Sequence, residues 1–411
     1  MASVDQDFAP RAAVERTRAA IASARRAVLA DRFPVHSLSV EWRWLADLVP
    51  LTNAWRDLAA RALEPNVFYE PAFALAAGSV FGQDIGAALV WSGEEPRKLL
   101  GFFPARVVRR RYALALPVLE AWTHPYAPLG TPLVEREAAE PVISAWLTHV
   151  ACDGSLPGLL RLPLIVEDGH FAAALGAVLR RLQMPFADFA RHRRPQLVPG
   201  DDRAAYLEQT VSAHRRRELR RSVRRLADQG ALLFAASRAG EAIDKEIEDF
   251  FALEASGWKG AAGTAAARHD ELRAFMKAAA RALGAEGKVA INRILLDGRA
   301  IAATITLRSG DGAWYWKTAY DEALARFAPG VLLSAALTEE LAENAAIART
   351  DSCAGPGNRI LDNLWRERLN LCDRLVGLKP RASFGFACRL ESLRGAALGA
   401  AKLLRKRLGH R

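Results

Sequence analysis

Hydrophobic and polar positions alternate in short blocks along this chain, and the period of each block predicts an element. The run 71–82, "PAFALAAGSVFG", reads as a helix that starts at Pro71, a favourable first-turn residue. Strand-like runs follow at 85–93, "IGAALVWSG", at 98–110, "KLLGFFPARVVRR", and at 159–166, "LLRLPLIV". Residues 123–133, "THPYAPLGTPL", are a loop by their prolines and glycine, and 170–184 is a helix. These elements make one mixed unit over residues 36–198.

A second unit, 199–380, repeats the theme. Residues 203–211 and 214–230 are helical, the latter closed by Gly230, and 231–237 is a short strand. Ile243, Ile247, Phe250 and Phe251 share one face of a helix over 241–257, and 271–287 is another helix. Residues 289–322 read as three antiparallel strands, with turns at Asp297-Gly298 and Asp311-Gly312. A loop at 323–330 leads into a helix at 331–346. A strand at 348–355 and a helix at 359–370 end the unit. The expected fold class is mixed α/β (α+β).

Composition narrows the function classes. No apolar run is long enough to span a membrane, and residues 1–35, an Ala/Arg-rich extension expected to be a loose helix or disordered, do not read as a secretory signal. Cys152, Cys353, Cys372 and Cys388 are far apart and the His are scattered, so reduced thiols, a cytoplasmic location and no metal site are expected. The net charge of +11 is concentrated in two segments, the arginine-rich 212–225 and the tail after residue 380. That distribution argues against a whole-surface nucleic-acid binder, and no DNA partner is expected. The arginine helix is either a solvated face or a wall for coenzyme A phosphates, an anionic glycan or tRNA. In the tail, 381–411, Leu390, Leu393, Ala397, Leu398 and Leu404 approximate one stripe among basic residues. It is either a solvated helix lying on the second unit or a basic amphipathic helix for a peripheral membrane or synthase contact through 385–411.

Candidate chemistry concentrates in 289–345. There a meander ending in "WYWKTAYD" feeds a turn with Arg326, Pro329 and Gly330, and then an apolar helix. A helix start offers N–H groups and a positive dipole end to a diphosphate, here the amides at Gly330, Val331 and Leu332. Tyr320, where strand meets loop, is placed to protonate a departing thiolate. Lys317 alternates with Trp316 on the strand, and His124 and Tyr126 sit in the proline-rich loop. Cys353 has no His nearby in sequence and reads as a small buried hydrophobe, not a nucleophile.

This order of elements over 199–380 resembles the GNAT acyltransferase superfamily, whose Arg/Gln-x-x-Gly-x-Gly/Ala pattern is partly matched by Arg326-Phe-Ala-Pro-Gly330-Val331. "FYEPAF", "HPYAPLGTPL", "RRRELRRSVRRLADQG", "LEASGWKGAAGT" and "WKTAYDEALARFAPGVLL" occur in that order. Together they look like the CelD-like acetyltransferases associated with bacterial cellulose and exopolysaccharide synthesis. The resemblance covers about residues 40–380; "AGPGNRILDNLW" stands where relatives usually carry an acidic turn. It implies two tandem GNAT-like domains, each a mostly antiparallel mixed sheet flanked by helices, related to the Fem transferases. The second would bind acetyl-CoA or another acyl-CoA, with Arg326, Gly330, Val331 and Leu332 at the donor. The first would shape a groove for a sugar or polysaccharide-precursor acceptor. It places Glu254 as general base and Trp258 and Lys259 over the acceptor cleft, with Lys317, His124 and Tyr126 as further acceptor contacts. The alternatives are a Fem-like transferase using aminoacyl-tRNA and a non-catalytic partner of a polysaccharide synthase.

Overall fold

The computed structural model describes residues 38–93, 95–238, 242–257, 263, 265–355, 359–379 and 383–408. Its strands are β1 (Ser39–Trp44), β2 (Gly86–Trp91), β3 (Leu99–Val108), β4 (Val118–Ala121), β5 (Leu133–Val134), β6 (Leu159–Val166) and β7 (Phe186–Leu197). They continue as β8 (Leu232–Ser237), β9 (Val289–Leu296), β10 (Arg299–Ser309), β11 (Gly312–Tyr320), β12 (Arg349–Asp351) and β13 (Glu367–Gly377). The helices are α1 (Thr52–Arg61), α2 (Pro71–Phe81), α3 (Ala139–Cys152), α4 (His170–Arg181), α5 (Tyr206–Thr210) and α6 (Ala213–Ala227). After them come α7 (Ala242–Ser256), α8 (Asp270–Ala285), α9 (Pro329–Glu343), α10 (Arg359–Asp362) and α11 (Ser383–Leu408).

All thirteen strands join one sheet, in the order β1-β2-β3-β4-β6-β13-β7-β12-β11-β10-β9-β8, with β5 paired to β3. From either edge towards the middle the order is the same: a meander, a neighbour paired parallel over two or three residues, then a long strand. The long strands are exchanged. β13, the last strand of the chain, pairs antiparallel with β6 and β7, while β7 from the first half pairs with β12. Each half is thus closed by a strand from the other.

Alternation along the strands explains the layers. In β2, Ala87, Leu89 and Trp91 enter one core and Ala88 and Val90 another, because successive side chains point to opposite faces. The first core also holds α1, α2, α7 and α8, and the two halves meet there where Phe73 of α2 packs edge-on against Phe275 of α8, centroids 5.5 Å apart. On the opposite face α3 and α4 cover the first half, and α5, α6, α9 and α10 the second. Burying both faces requires this double cover.

The fold is the expected mixed α/β one, and the 289–322 meander forms as three antiparallel strands. Three local expectations change. The second hairpin turns at Gly310-Asp311, one residue earlier than expected, with Gly310 at φ 52°. Residues 359–370 are not one helix: α10 is a single turn and β13 begins at Glu367. β7 was not expected at all. Its run "FADFARHRRPQL" carries the charge of a surface segment, yet Arg194 is buried, held by Asp351 of β12 and by the Pro128 carbonyl at 2.9 Å. β7 and β13 lie at the centre of the sheet, where charges are paired across strands instead of solvated. The tail forms the long helix α11. It packs against the first half and the exchanged strand β13 through Ala387, and against the first half through Glu391, which accepts from Arg111 Nε at 2.7 Å and the Tyr112 hydroxyl at 2.8 Å. Residues 392–401 of it are exposed.

Candidate active site

The strand pair β11–β12 is parallel and short. Gly312, Ala313 and Trp314 face Arg349, Thr350 and Asp351, and among the described residues no strand pairs with β11 on that side beyond Trp314. β12 instead leans to β7: Ser352 donates its N–H to the Pro195 carbonyl at 3.2 Å. A wedge opens, walled on one side by the free edge of β11 from Tyr315 to Tyr320. On its other side β11 carries a bulge. Ile305 of β10 faces Lys317 and Thr306 faces Tyr315, so Trp316 is the extra residue. A bulge re-aims side chains locally, and such irregularities concentrate beside active sites.

The equivalent wedge of the first half is closed. β4 and β6 pair at Leu119↔Leu160 and Glu120↔Arg161. Arg161 then bonds both Glu120, at 2.7 Å, and Asp373 of the exchanged β13. The loop 123–133 turns back over this gap, with Gly130 N–H donating to the Leu164 carbonyl at 3.0 Å. A side chain at Gly130 would collide with the Pro163 carbonyl, so glycine is needed for the approach. Asn66 holds the same loop by donating to the carbonyls of Leu129, at 3.2 Å, and Thr131, at 2.8 Å.

That loop carries His124 and Tyr126 to the second half. Trp316 Nε1 donates to the Tyr126 carbonyl at 2.8 Å, and Lys317 Nζ stands 3.9 Å from the Tyr126 ring centroid. His124 stacks on Phe81 with centroids 4.1 Å apart and lies near Trp122, Phe73 and Phe275. Both its ring nitrogens are buried and neither has a hydrogen-bond partner among the described residues. Burial, and then the charge of Lys317, push its pKa down to about 3, so the imidazole is neutral. Burial, and then Glu254, push the Tyr126 phenol up to about 12. Glu254 is buried at the end of α7, where one carboxylate oxygen accepts the Ala266 N–H at 2.8 Å. His124, Tyr126, Lys317 and Glu254 therefore form one cluster at the wedge, although 193 positions separate His124 from Lys317. Trp258 and Lys259 lie outside the described residues.

Cys353 also reaches this cluster, at φ 51° just past β12, its N–H donating to Asp351 Oδ1 at 2.9 Å. Burial raises its thiol well above the usual cysteine value, with Asp351 adding to the effect. The thiol form is a poor nucleophile.

The donor-side residues gather at the start of α9. The Tyr320 ring covers Gly330, where a Cβ would meet Cδ1 at 2.9 Å. The Val331 and Leu332 amides both donate to the Ala328 carbonyl, at 2.9 and 3.1 Å. Two of the three amides expected to form the nest are therefore occupied by the chain itself. Arg326 is exposed, its guanidinium 4.7 Å from the Phe327 ring centroid, and Arg225 of α6 approaches the same ring at 5.4 Å. Residues that sequence reasoning missed hold this end in place. Tyr315 hydroxyl meets Ser334 Oγ at 2.8 Å and Thr304 Oγ1 at 3.1 Å, and Ser334 donates to the Gly330 carbonyl at 2.7 Å. This buried polar chain ties the first turn of α9 to the wedge strand. The only signal in the sequence was a hydroxyl on an apolar helix. Among the described residues no cluster of His, Cys, Asp and Glu could hold a metal ion.

Residues 213–358 match a family described as an acetyltransferase (GNAT) domain. No curated protein matches. Among solved structures, FemX is similar over 79% of this chain and 95% of its own, at 9% identity and a TM-score of 0.50. L-PGS from Bacillus licheniformis is similar over 84% of this chain and 97% of its own, at 12% identity and a TM-score of 0.45. A tandem GNAT protein from the clavulanic acid biosynthesis pathway is similar over 84% and 100%, at 14% identity and a TM-score of 0.40. The FemX likeness is one of fold alone.

Proposed function

We propose, proceeding from the GNAT-type acetyltransferase domain over 213–358, that the chain transfers an acyl group, most simply acetyl, from an acyl-CoA to an amine or hydroxyl of a sugar or polysaccharide precursor. The carrying observation is the wedge: three residue pairs between β11 and β12, then a free strand edge beside the Trp316 bulge. Such an edge offers N–H and C=O groups to an extended arm with amide groups, as pantetheine is, in the way it would pair another strand. The closed wedge of the first half leaves the second, 199–380, as the donor side and gives the first, 36–198, the acceptor.

In this reading Arg326 and the Gly330 end of α9 meet the donor diphosphate. Tyr126, His124 and Lys317 hold the acceptor, and Trp258 and Lys259 are assigned to the same acceptor from the sequence alone. His124 offers a neutral ring nitrogen to a hydroxyl or amine. The acceptor nucleophile attacks the thioester carbonyl directly, the carbon–sulfur bond breaks, Glu254 takes the acceptor proton and Tyr320 protonates the thiolate. The stretch 392–401 of α11, exposed and carrying Arg394, is offered to an anionic membrane surface or an acidic face of a synthase, and the sequence after Glu391 holds no acid.

Calorimetry with acetyl-CoA tests the donor. Wild type binds, and Arg326→Ala binds more weakly. Absence of acetyl-CoA binding by wild type, with salt-sensitive tRNA binding in its place, would move the chain to an aminoacyl-tRNA donor.

A further inference from the structure

A second concavity lies on the α9 side of the second half. It has a volume of about 740 Å³ and runs between α6 and α9, with α5 and Phe234 of β8 at its margins. The floor is apolar: Leu207, Leu219, Val223, Leu332, Ala335 and Ala336. One wall carries Arg216, Arg220 and Arg224, spaced one helical turn apart on α6. Arg216 is engaged by Glu208 at 2.8 Å. Arg220 and Arg224 make no ion pair among the described residues, and both are exposed. The facing wall has one further acid, Glu339, two turns along α9 from Leu332.

The groove begins at Leu332, beside the donor end of α9. The Arg225 guanidinium next to Arg224 lies over Phe327, the residue that precedes the α9 cap. Leu332 belongs to the first turn of α9, whose Gly330 is covered by Tyr320 at the end of the wedge strand. An extended molecule that leaves the wedge along β11 crosses Tyr320 and Gly330 and then enters this groove at its Arg224 end. An apolar floor with two uncommitted guanidiniums suits a flat heterocycle that bears a phosphate.

Resting on the acyl-CoA reading above, we propose that the groove between α6 and α9 seats the adenosine end of the donor, with Arg220 and Arg224 binding its ribose 3′-phosphate. The arginine helix thereby acquires a role: it selects a donor handle that carries the extra phosphomonoester. Arg217 and Arg221, on the same helix but outside the groove, take no part.

Calorimetry with CoA and with 3′-dephospho-CoA tests this on the full chain. Wild type binds CoA about tenfold or more tightly than the dephospho form, the range of one or two charge-assisted contacts. Arg220→Gln with Arg224→Gln abolishes that preference, so that CoA and dephospho-CoA bind the variant equally. Arg217→Gln with Arg221→Gln keeps it, which excludes a general effect of net charge. If wild type binds both forms equally, or if the preference survives the first double substitution, the groove assignment is overturned while the donor reading stands. If wild type binds neither form, the donor reading falls, and the groove assignment with it.

Discussion

Trp316 Nε1 donates to the Tyr126 carbonyl at 2.8 Å, joining the bulge of the second half's wedge strand to the loop that closes the first half. One hydrogen bond thus registers the donor wall against the acceptor cluster. Trp316→Phe keeps a ring and loses the donor. The expected stability cost is about 1 kcal/mol, read from urea unfolding. Thiol release from acetyl-CoA with acceptor present falls, while acetyl-CoA affinity by calorimetry is kept.

At Gly330 the Tyr320 ring leaves no room for a methyl group. Gly330→Ala therefore displaces Tyr320 or tilts the α9 start. Acetyl-CoA affinity falls by about tenfold, on the scale of one lost close contact. Tyr320→Phe keeps the packing, so its affinity is unchanged and its turnover drops. Equal affinity in Gly330→Ala and wild type would show that the donor does not pass this point.

Lys288 and Glu70 form an ion pair across the two halves, and Lys288 also reaches Glu286 at 2.8 Å. Glu70 is 1% exposed, and burial raises its pKa against the opposing pull of Lys288. Lys288→Met leaves that carboxylate buried without its cation, at a cost of about 3–5 kcal/mol near neutral pH. The acid's folded pKa then lies further above its unfolded value, so the folded state holds the proton through the interval between them. Stability of the variant rises as pH falls from neutrality through that interval. Urea midpoints from pH 7 to 5 check the sign, and Glu70→Gln in the same chain removes the trend.

His124 has the opposite sign. Its folded pKa, about 3, lies below the usual histidine value of about 6.5. The unfolded chain takes up a proton first, so this contribution is intact above pH 6.5 and is lost as pH falls towards 3. His124→Phe flattens the fall in urea midpoint between pH 6.5 and 4.5, within that interval. NMR of the imidazole in the wild type shows no titration near neutrality.

Cys353 sits in the cluster, yet burial holds its thiol protonated. Direct attack needs no acyl-enzyme. Cys353→Ser is therefore expected to retain most of its turnover, and mass spectrometry of wild type with acetyl-CoA detects no acetylated cysteine. An acetyl group on Cys353 that turns over on adding acceptor would replace direct attack by a two-step route.

The elements that local pattern alone decides were legible. The hairpin at Asp297-Gly298, the apolar face of α7 and the proline start of α2 all follow from residues within a turn or two of one another. So did the mixed α/β class, since blocks of two periods alternate through the chain. The candidate residues His124, Tyr126, Lys317 and Glu254 were named one by one, but nothing local brought them together.

What the sequence determined was the identity of most elements and the chemistry available on them. What the tertiary structure decided was pairing at long range: β7 and β13 crossing between halves, one wedge sealed by Arg161 and Asp373, the other left open by the short β12. The physical reason is that a strand's period records which of its faces is buried, not which partner it meets. For β7 and β13 even the burial signal was hidden, because their buried charges are neutralised by residues such as Asp351 and Arg161, over 150 positions away in the chain.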